Sequence, residues 1–254
     1  MKEVKVKISC LQRVAPGIFL LGFKSRYLSK TSGPGNFLQI DIGPQFSLNR
    51  PFSIHRVERH RVYILFKVRG QATRVLSQKK IGQILRVLGP LGKGFNLVNA
   101  KHSLEEIILV GGGIGVAPLY FLAQKLKIAL PKTLLLGART RSQVLLRQEF
   151  RKLGFKVFVS TEDGSLGFKG DVVSLLDDHL RRNSISSAKI YACGPAGMIE
   201  SLKSFKDKGI DIEVSLESFM GCGIGICSAC TIFTKNGLRK ICKDGPVFNL
   251  KELV

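Results

Sequence analysis

Cys222, Cys227, Cys230 and Cys242 stand close together near the end of a chain of 254 residues, within "MGCGIGICSAC" and "KICKDG". Their spacing is C-x4-C-x2-C followed by eleven residues and a fourth cysteine. Thiolates are soft ligands for iron, zinc and copper, and four of them at this spacing can wrap a [2Fe–2S] rhomb. A structural zinc site is the competing reading, and four unrelated buried thiols a third. Zinc sites commonly bring two C-x2-C knuckles, whereas this segment has one. Gly221, Gly223 and Gly225 flank the first two cysteines. A tight ligand loop needs backbone with φ > 0 and N–H groups close to sulfur, and those N–H groups help to set a cluster's reduction potential.

A second pattern is "LVGGGIGVAPL", which places Gly111, Gly112, Gly113 and Gly115 between a strand and a helix. Backbone N–H groups at a helix start make a site for pyrophosphate, although many such turns need glycine for packing alone. Pro118 stands where a strict G-x-G-x-x-G would place its last glycine. "NRPFSI" offers Arg50, whose fork can pair with a phosphate, and Ser53 as a hydroxyl donor. "GQATRVLS" can open a short helix facing the same phosphates, and either segment can equally be plain solvated surface. Cys10 and Cys193 are isolated, and His55, His60, His102 and His179 are scattered without a pattern.

The elements that must position these groups fall into three textures. Residues 1–99 read as short strands, "EVKVKISCLQRV", "GIFLLGFKS", "GNFLQIDI", "FSIHRVE" and "RVYILFKV", with "TSGPGN" and "VLGPLGKG" as punctuation and one helix near "ATRVLSQKK". Such strands predict a small antiparallel barrel or sandwich. Residues 100–212 alternate buried strands with helices, which predicts a parallel sheet with crossover helices. One helix is expected over "RSQVLLRQEFRKLG". Residues 213–254 form a loop-rich tail holding the clustered cysteines, where apolar "PVFNL" is either core or a docking face.

The net charge of +22 is concentrated early, with 18 Lys and Arg against 3 Asp and Glu in residues 1–99. It fits a solvated basic surface or attraction to an acidic partner or nucleic acid. No run of five basic residues occurs and no aromatic-interleaved nucleic-acid signature is present, so nucleic acid is not expected. No apolar run approaches a membrane span. The start of the chain alternates like a strand rather than a signal peptide, and a cytoplasmic setting is expected.

Taken in order, "RPFSI", "FKVRGQATRVLS", "VLGPLGKGF", "LVGGGIGVAPL", "CGP", "ESFMGCGIGICSAC" and "KICKDGPVF" resemble the electron-transfer subunits of NAD-dependent (type B) dihydroorotate dehydrogenase, in the ferredoxin-reductase superfamily. The resemblance runs over nearly the whole chain and implies a multi-domain β plus α/β protein. Its parts would be an FAD-binding antiparallel β-barrel (1–99), a parallel-sheet NAD-binding domain (100–212) and a small [2Fe–2S] domain (213–254). Arg50, Pro51, Phe52 and Ser53 match the first flavin motif, Leu65, Phe66 and Lys67 the second, and Ala72 and Thr73 the third. Lys67 stands where arginine is more usual, and Ala72 where the family has glycine. Gly111, Gly112, Gly113 and Gly115 match the nicotinamide-dinucleotide loop, Cys193-Gly194-Pro195 the segment near the nicotinamide, and Cys222, Cys227, Cys230 and Cys242 all four cluster ligands. The family favours NAD, while Arg139 and Arg141 leave NADP open. The implied function is electron transfer in pyrimidine (UMP) biosynthesis, from a separate FMN-containing catalytic subunit through the cluster and FAD to NAD+, in a heterotetramer of two of each subunit. The alternative is a flavin/iron–sulfur subunit of another oxidoreductase, of hydrogenase or sulfur-reductase type.

Overall fold

A computed structural model describes residues 1–98, 104–206 and 208–254, and the expected boundary at 99/100 lies outside them. The first part holds β1 (Lys2–Ala15), β2 (Ile18–Lys24), α1 (Arg26–Thr31), β3 (Phe37–Ile40), β4 (Arg50–Glu58), β5 (Arg61–Lys67), α2 (Gln71–Ser77) and β6 (Ile84–Leu91). The six strands close into an antiparallel barrel in the order β1-β2-β5-β4-β3-β6. Alternation sends one face of each strand inward. On β3, Leu38 and Ile40 enter the barrel core, while Phe37 packs in a separate core outside it.

Two elements of the barrel carry no strong local signal. In β6, Gly89 and Pro90 look like turn punctuation, yet they lie within the strand. Pro90 falls at the irregularity where β3 shifts register between Phe37 and Gln39, one of the few sheet positions that tolerate proline. The α1 segment has six residues and is started by Ser25, whose Oγ accepts from Leu28 N at 3.2 Å. It is too short to show a helical period.

The second part holds β7 (Glu106–Gly112), α3 (Val116–Lys125), β8 (Lys132–Ala138), α4 (Arg147–Lys152), β9 (Lys156–Thr161), β10 (Phe168–Lys169), α5 (Val172–Arg182), β11 (Ala188–Cys193), α6 (Ala196–Leu202) and β12 (Asp211–Ser215). The tail adds β13 (Thr231–Thr234), β14 (Gly237–Lys240), α7 (Ile241–Asp244) and β15 (Val247–Asn249). The large sheet runs β10-β9-β8-β7-β11-β12-β15. It is parallel except that β15 runs antiparallel to β12. The boundary placed at 212/213 therefore falls inside β12, and the tail returns a strand to the same sheet. The single helix expected over 141–154 is a short 3-10 turn (Arg141–Gln143) and then α4. Leu146 separates them with a left-handed backbone (φ 59°), and Leu145 turns into the core.

The parts are locked by buried polar contacts. From the barrel side, His55 on β4 is stacked on Tyr120 of α3 at 5.0 Å, with Nδ1 2.9 Å from the Ala117 carbonyl. Phe121 of the same helix enters the barrel core. Below the sheet, Lys189 Nζ donates to Asp211 (2.6 Å) and Glu213 (2.9 Å). Glu213 also accepts from the backbone and side chain of Asn96, both at 3.0 Å, which ties the chain leaving the barrel to β12.

Two outcomes follow. Burial, partly offset by the bond to Ala117, lowers the His55 pKa from 6.5 to about 4. The folded state then binds fewer protons than the unfolded state between those values. Stability present at neutral pH should fall by up to about 3 kcal/mol as pH drops from about 6.5 to 4. His55→Gln should flatten that slope in urea melts taken across this range. Glu213→Ala leaves Lys189 buried with one exposed partner, and should cost about 3–5 kcal/mol in chemical denaturation.

Candidate functional site

The cluster thiols sit on a loop excursion that leaves the large sheet after β12 and re-enters it at β15. Ser215 and Val247 are ladder partners, and Leu216 N donates to Pro246 O at 2.9 Å. Both ends of residues 216–246 are thus held at one neck. Within the excursion the thiols form two pairs. Cys222 N donates to Cys227 Sγ at 3.4 Å, and Cys242 N to Cys230 Sγ at 3.4 Å. Cys222 Sγ collects further N–H donors from Ile224, Ile226 and Cys227 at 3.3–3.5 Å. Against the opposing effect of burial, these donors pull the Cys222 thiol down to about 6. Burial, with the neighbouring Cys230, pushes Cys242 up to about 12.

All six cysteines are free. Among the described residues no three His, Cys, Asp or Glu side chains meet at one ion-sized position. Two thiol pairs with N–H groups aimed at sulfur are the donor set of a two-iron cluster rather than a single ion. The glycines support the same fit. Gly223 and Gly225 have φ of +72° and +87°, and a methyl on Gly221 would stand 3.1 Å from Cys227 Sγ. The pairs differ in exposure: Cys230 and Cys242 are 3% exposed and share their core with Phe37 of the barrel, whereas Cys227 is exposed.

Beside this loop lies a cleft of about 240 Å³ between barrel and sheet. Pro51, Phe52, Ser53, Leu65, Phe66 and Lys67 line it from the barrel. Gly115, Pro118 and Cys193 line it from the sheet side, with Glu217 and Met220 from the excursion. A largely apolar slot with a few polar groups suits a flat aromatic ring. Pro118 sits in the first turn of α3, where its missing N–H costs nothing. Burial first, and then the charge of Glu217, push the Cys193 thiol up to about 12, so it faces the cleft uncharged.

A second cleft of about 630 Å³ opens at the carboxyl ends of β7, β8 and β9 and shares Lys67, Arg69, Ile114 and Glu217 with the first. Gly112 and Gly113 line it, with Arg139, Gln143 and Glu162. The glycines divide by role. A methyl on Gly115 would lie 2.3 Å from the Cys193 carbonyl, and one on Gly112 would lie 2.8 Å from Pro195 and Met198. These two let β11 and α6 close in. Gly113 has open space around it, and Gly111 packs on Val116.

Three residues of the matched flavin motifs stand outside both linings, as do Gly111 and Gly194 of the matched nucleotide segments. Arg50 donates to its own loop, to Leu48 O at 2.6 Å, and lies over Phe46. Ala72 packs its methyl into the barrel core, so the change from glycine points away from the clefts. Thr73 Oγ1 accepts from Arg69 N (2.9 Å) and Gly70 N (3.2 Å), closing the start of α2. Reasoning from motifs missed Phe37, Arg69 and Glu217, which lie on the clefts. Arg69, in "FKVRG", carried a signal in its charge and place; Phe37 and Glu217 carried none. The "PVFNL" segment is core: Val247, Phe248 and Leu250 are all buried. Among the described residues, the large exposed apolar side chains of the tail are Phe219, Ile226, Phe233, Leu238 and Val254.

Two family models match parts of the chain. Residues 217–254 match the iron–sulfur cluster binding domain of dihydroorotate dehydrogenase B, and residues 109–204 match an oxidoreductase NAD-binding domain. The electron transfer subunit of dihydroorotate dehydrogenase B (NAD(+)) from Caldanaerobacter subterraneus subsp. tengcongensis is 35% identical, over 99% of this chain and 98% of the relative. The subunit of the same name from Shouchella clausii is 37% identical over 100% and 98%. Among solved structures, a chain of the NADH-dependent reduced ferredoxin-NADP oxidoreductase, described for flavin-based electron bifurcation, superposes with a TM-score of 0.85 at 32% identity. The match covers 98% of this chain and 89% of that one. A ferredoxin NADP+ reductase from Neisseria gonorrhoeae, with a TM-score of 0.70 at 15% identity over 85% of this chain and all of that one, shares the fold. With full-length relatives above one-third identity and its own thiol pairs in the matched cluster domain, the chain belongs to the family of dihydroorotate dehydrogenase B electron transfer subunits.

Proposed function

We propose that this chain carries electrons from a separate FMN-containing dihydroorotate-oxidising subunit to NAD+, in a cytoplasmic heterotetramer of two of each subunit that serves pyrimidine biosynthesis. The observation that supports it best is contiguity. Phe37 belongs both to the hydrophobic core that holds Cys230 and Cys242 and to the wall of the first cleft, and the first cleft shares four residues with the second. A thiol site, a ring-sized slot and a nucleotide cleft thus adjoin in one line. FAD, when bound, exchanges electron pairs with NAD and single electrons with an iron–sulfur cluster, and these groups supply that chemistry themselves.

The chain's own residues place the groups and keep water away. Cys222, Cys227, Cys230 and Cys242 hold the cluster. Pro51, Ser53 and Leu65 orient the flavin ring from the barrel, while Gly115 and uncharged Cys193 close the opposite side. Lys67 and Arg69 set positive charge where the clefts meet, opposite the phosphates of either dinucleotide. Gly113, with open space above it, receives the nucleotide pyrophosphate. Free thiols throughout suit a reducing compartment, and among the described residues no helix is long and apolar enough to cross a membrane. The exposed apolar residues Phe219 and Ile226, beside the exposed thiol Cys227, are where the catalytic subunit would seat. The full-length likeness to the ferredoxin-NADP oxidoreductase chain favours one second reading, service to a different catalytic partner with the same internal path.

Anaerobically purified chain should contain iron and acid-labile sulfide in equal amounts, with FAD at about half that amount. It should oxidise NADH with an artificial acceptor, and oxidise dihydroorotate only when the FMN subunit is added. Zinc without labile sulfide would overturn the reading, and turnover only with another partner would favour the second. Phe219→Asp combined with Phe233→Asp should weaken co-elution with the catalytic subunit roughly thirtyfold, about 2 kcal/mol, at unchanged iron content.

A further inference from the structure

Gln39 lies on β3 with 1% of its surface exposed, and neither Nε2 nor Oε1 has a hydrogen-bond partner. Among the described residues it is the one side chain with two buried polar atoms left unpaired. Buried amides are paired in nearly all native proteins, because leaving one unpaired is costly. Its surroundings point to what is missing. A methyl on Gly223 would come within 2.7 Å of Gln39 Cγ and 2.8 Å of Nε2. The carboxamide is therefore pressed against the backbone of the residue next to Cys222. Across the barrel ladder, Gln39 pairs with Pro51, which lines the flavin cleft. Its neighbour on the same outward face, Phe37, belongs to the hydrophobic core that also holds Cys230 and Cys242. One strand face thus touches the cluster loop and, through its ladder partner, the flavin site.

We propose that Gln39 is a positioning residue for the cluster: its Nε2–H donates to a sulfur of the bound [2Fe–2S] centre on the side facing the barrel. Sulfur there offers acceptors and no protons, so the NH2 end of the amide is the end it satisfies. The bond fixes the Gly223 turn against β3 and adds one donor to those already supplied by the loop backbone. A donor to sulfur stabilises the more negative, reduced state and raises the cluster's potential. The bond thereby biases the sharing of an electron between cluster and flavin. This rests on the chain carrying a [2Fe–2S] cluster.

The test uses the loaded complex and EPR-monitored redox titration, with iron, sulfide and flavin measured on each sample. Gln39→Leu should keep its iron and its flavin potential, and shift the cluster couple negative. The equilibrium between cluster and flavin should change about tenfold, equivalent to about 59 mV for one electron. Gln39→Glu, which has no donor when ionised, should shift the couple in the same direction. An unmoved cluster potential in an iron-replete Gln39→Leu sample overturns the proposal. If the variants lose the cluster, the unaltered complex decides. With glutamine labelled by 15N at the side-chain amide, pulsed EPR of the reduced centre should show one weakly coupled 15N, and its absence overturns the proposal. Unaltered complex without labile sulfide defeats the functional reading itself, and is told apart by that analysis.

Discussion

A single closed neck governs the electron path. Because Ser215 and Val247 pair in neighbouring strands, the excursion that carries the thiols begins and ends at one point on the sheet. That point is also bolted to the barrel. Lys93 N donates to Gly245 O, and a methyl on Gly92 would stand 2.6 Å from Pro246 and 2.9 Å from Phe37. A loop anchored at one end would let the cluster wander by several ångströms. Held at both ends against the barrel, it keeps the thiols beside the cleft between barrel and sheet.

The barrel contributes by having two outer faces with different tasks. Along β3 and β4 the inward residues Leu38, Ile40, Phe52 and Ile54 belong to the barrel core, with Phe52 also reaching the first cleft. The residues between them do the joining: Phe37 and Gln39 meet the excursion, Pro51 and Ser53 form the slot, and His55 docks on α3. Strand alternation thus assigns three contacts to one short stretch of sheet without any long-range design. The buried Lys189–Glu213 pair, with Asn96 at its exposed end, does the same below the sheet, fixing the direction in which the chain leaves the barrel. Buried ion pairs are a poor source of net stability, and this one makes better sense as a register device.

Much of this was legible in the residues. The four cysteines and their glycines, the strand-rich start and the alternation of strands with helices each carry a local physical cause, and each has its place in the structure. The sixth barrel strand was hidden because Gly89 and Pro90 carry turn chemistry, and only the register shift on β3 makes room for them. The helix expected over 141–154 failed because its apolar residues serve the core through a left-handed turn at Leu146, which periodicity does not see. The tail could not be divided correctly from its texture. β12 and β15 are short, and their membership of the large sheet depends on neighbours far away in sequence. Phe37, Gln39 and Glu217 gave no sign of their position, since an apolar residue, an amide and an acid have no signature outside their surroundings.

The uneven exposure of the sulfur pairs has a consequence for handling and for lifetime. Cys227 reaches solvent while Cys230 and Cys242 are buried, so dioxygen and chelators would meet a centre held there first at its Cys222–Cys227 side. Corrosion of a lone subunit would start at that edge and proceed inward. A catalytic partner seated on that edge would shelter the centre through the same contact that feeds it, which would make synthesis of the two chains in step a matter of chemical survival.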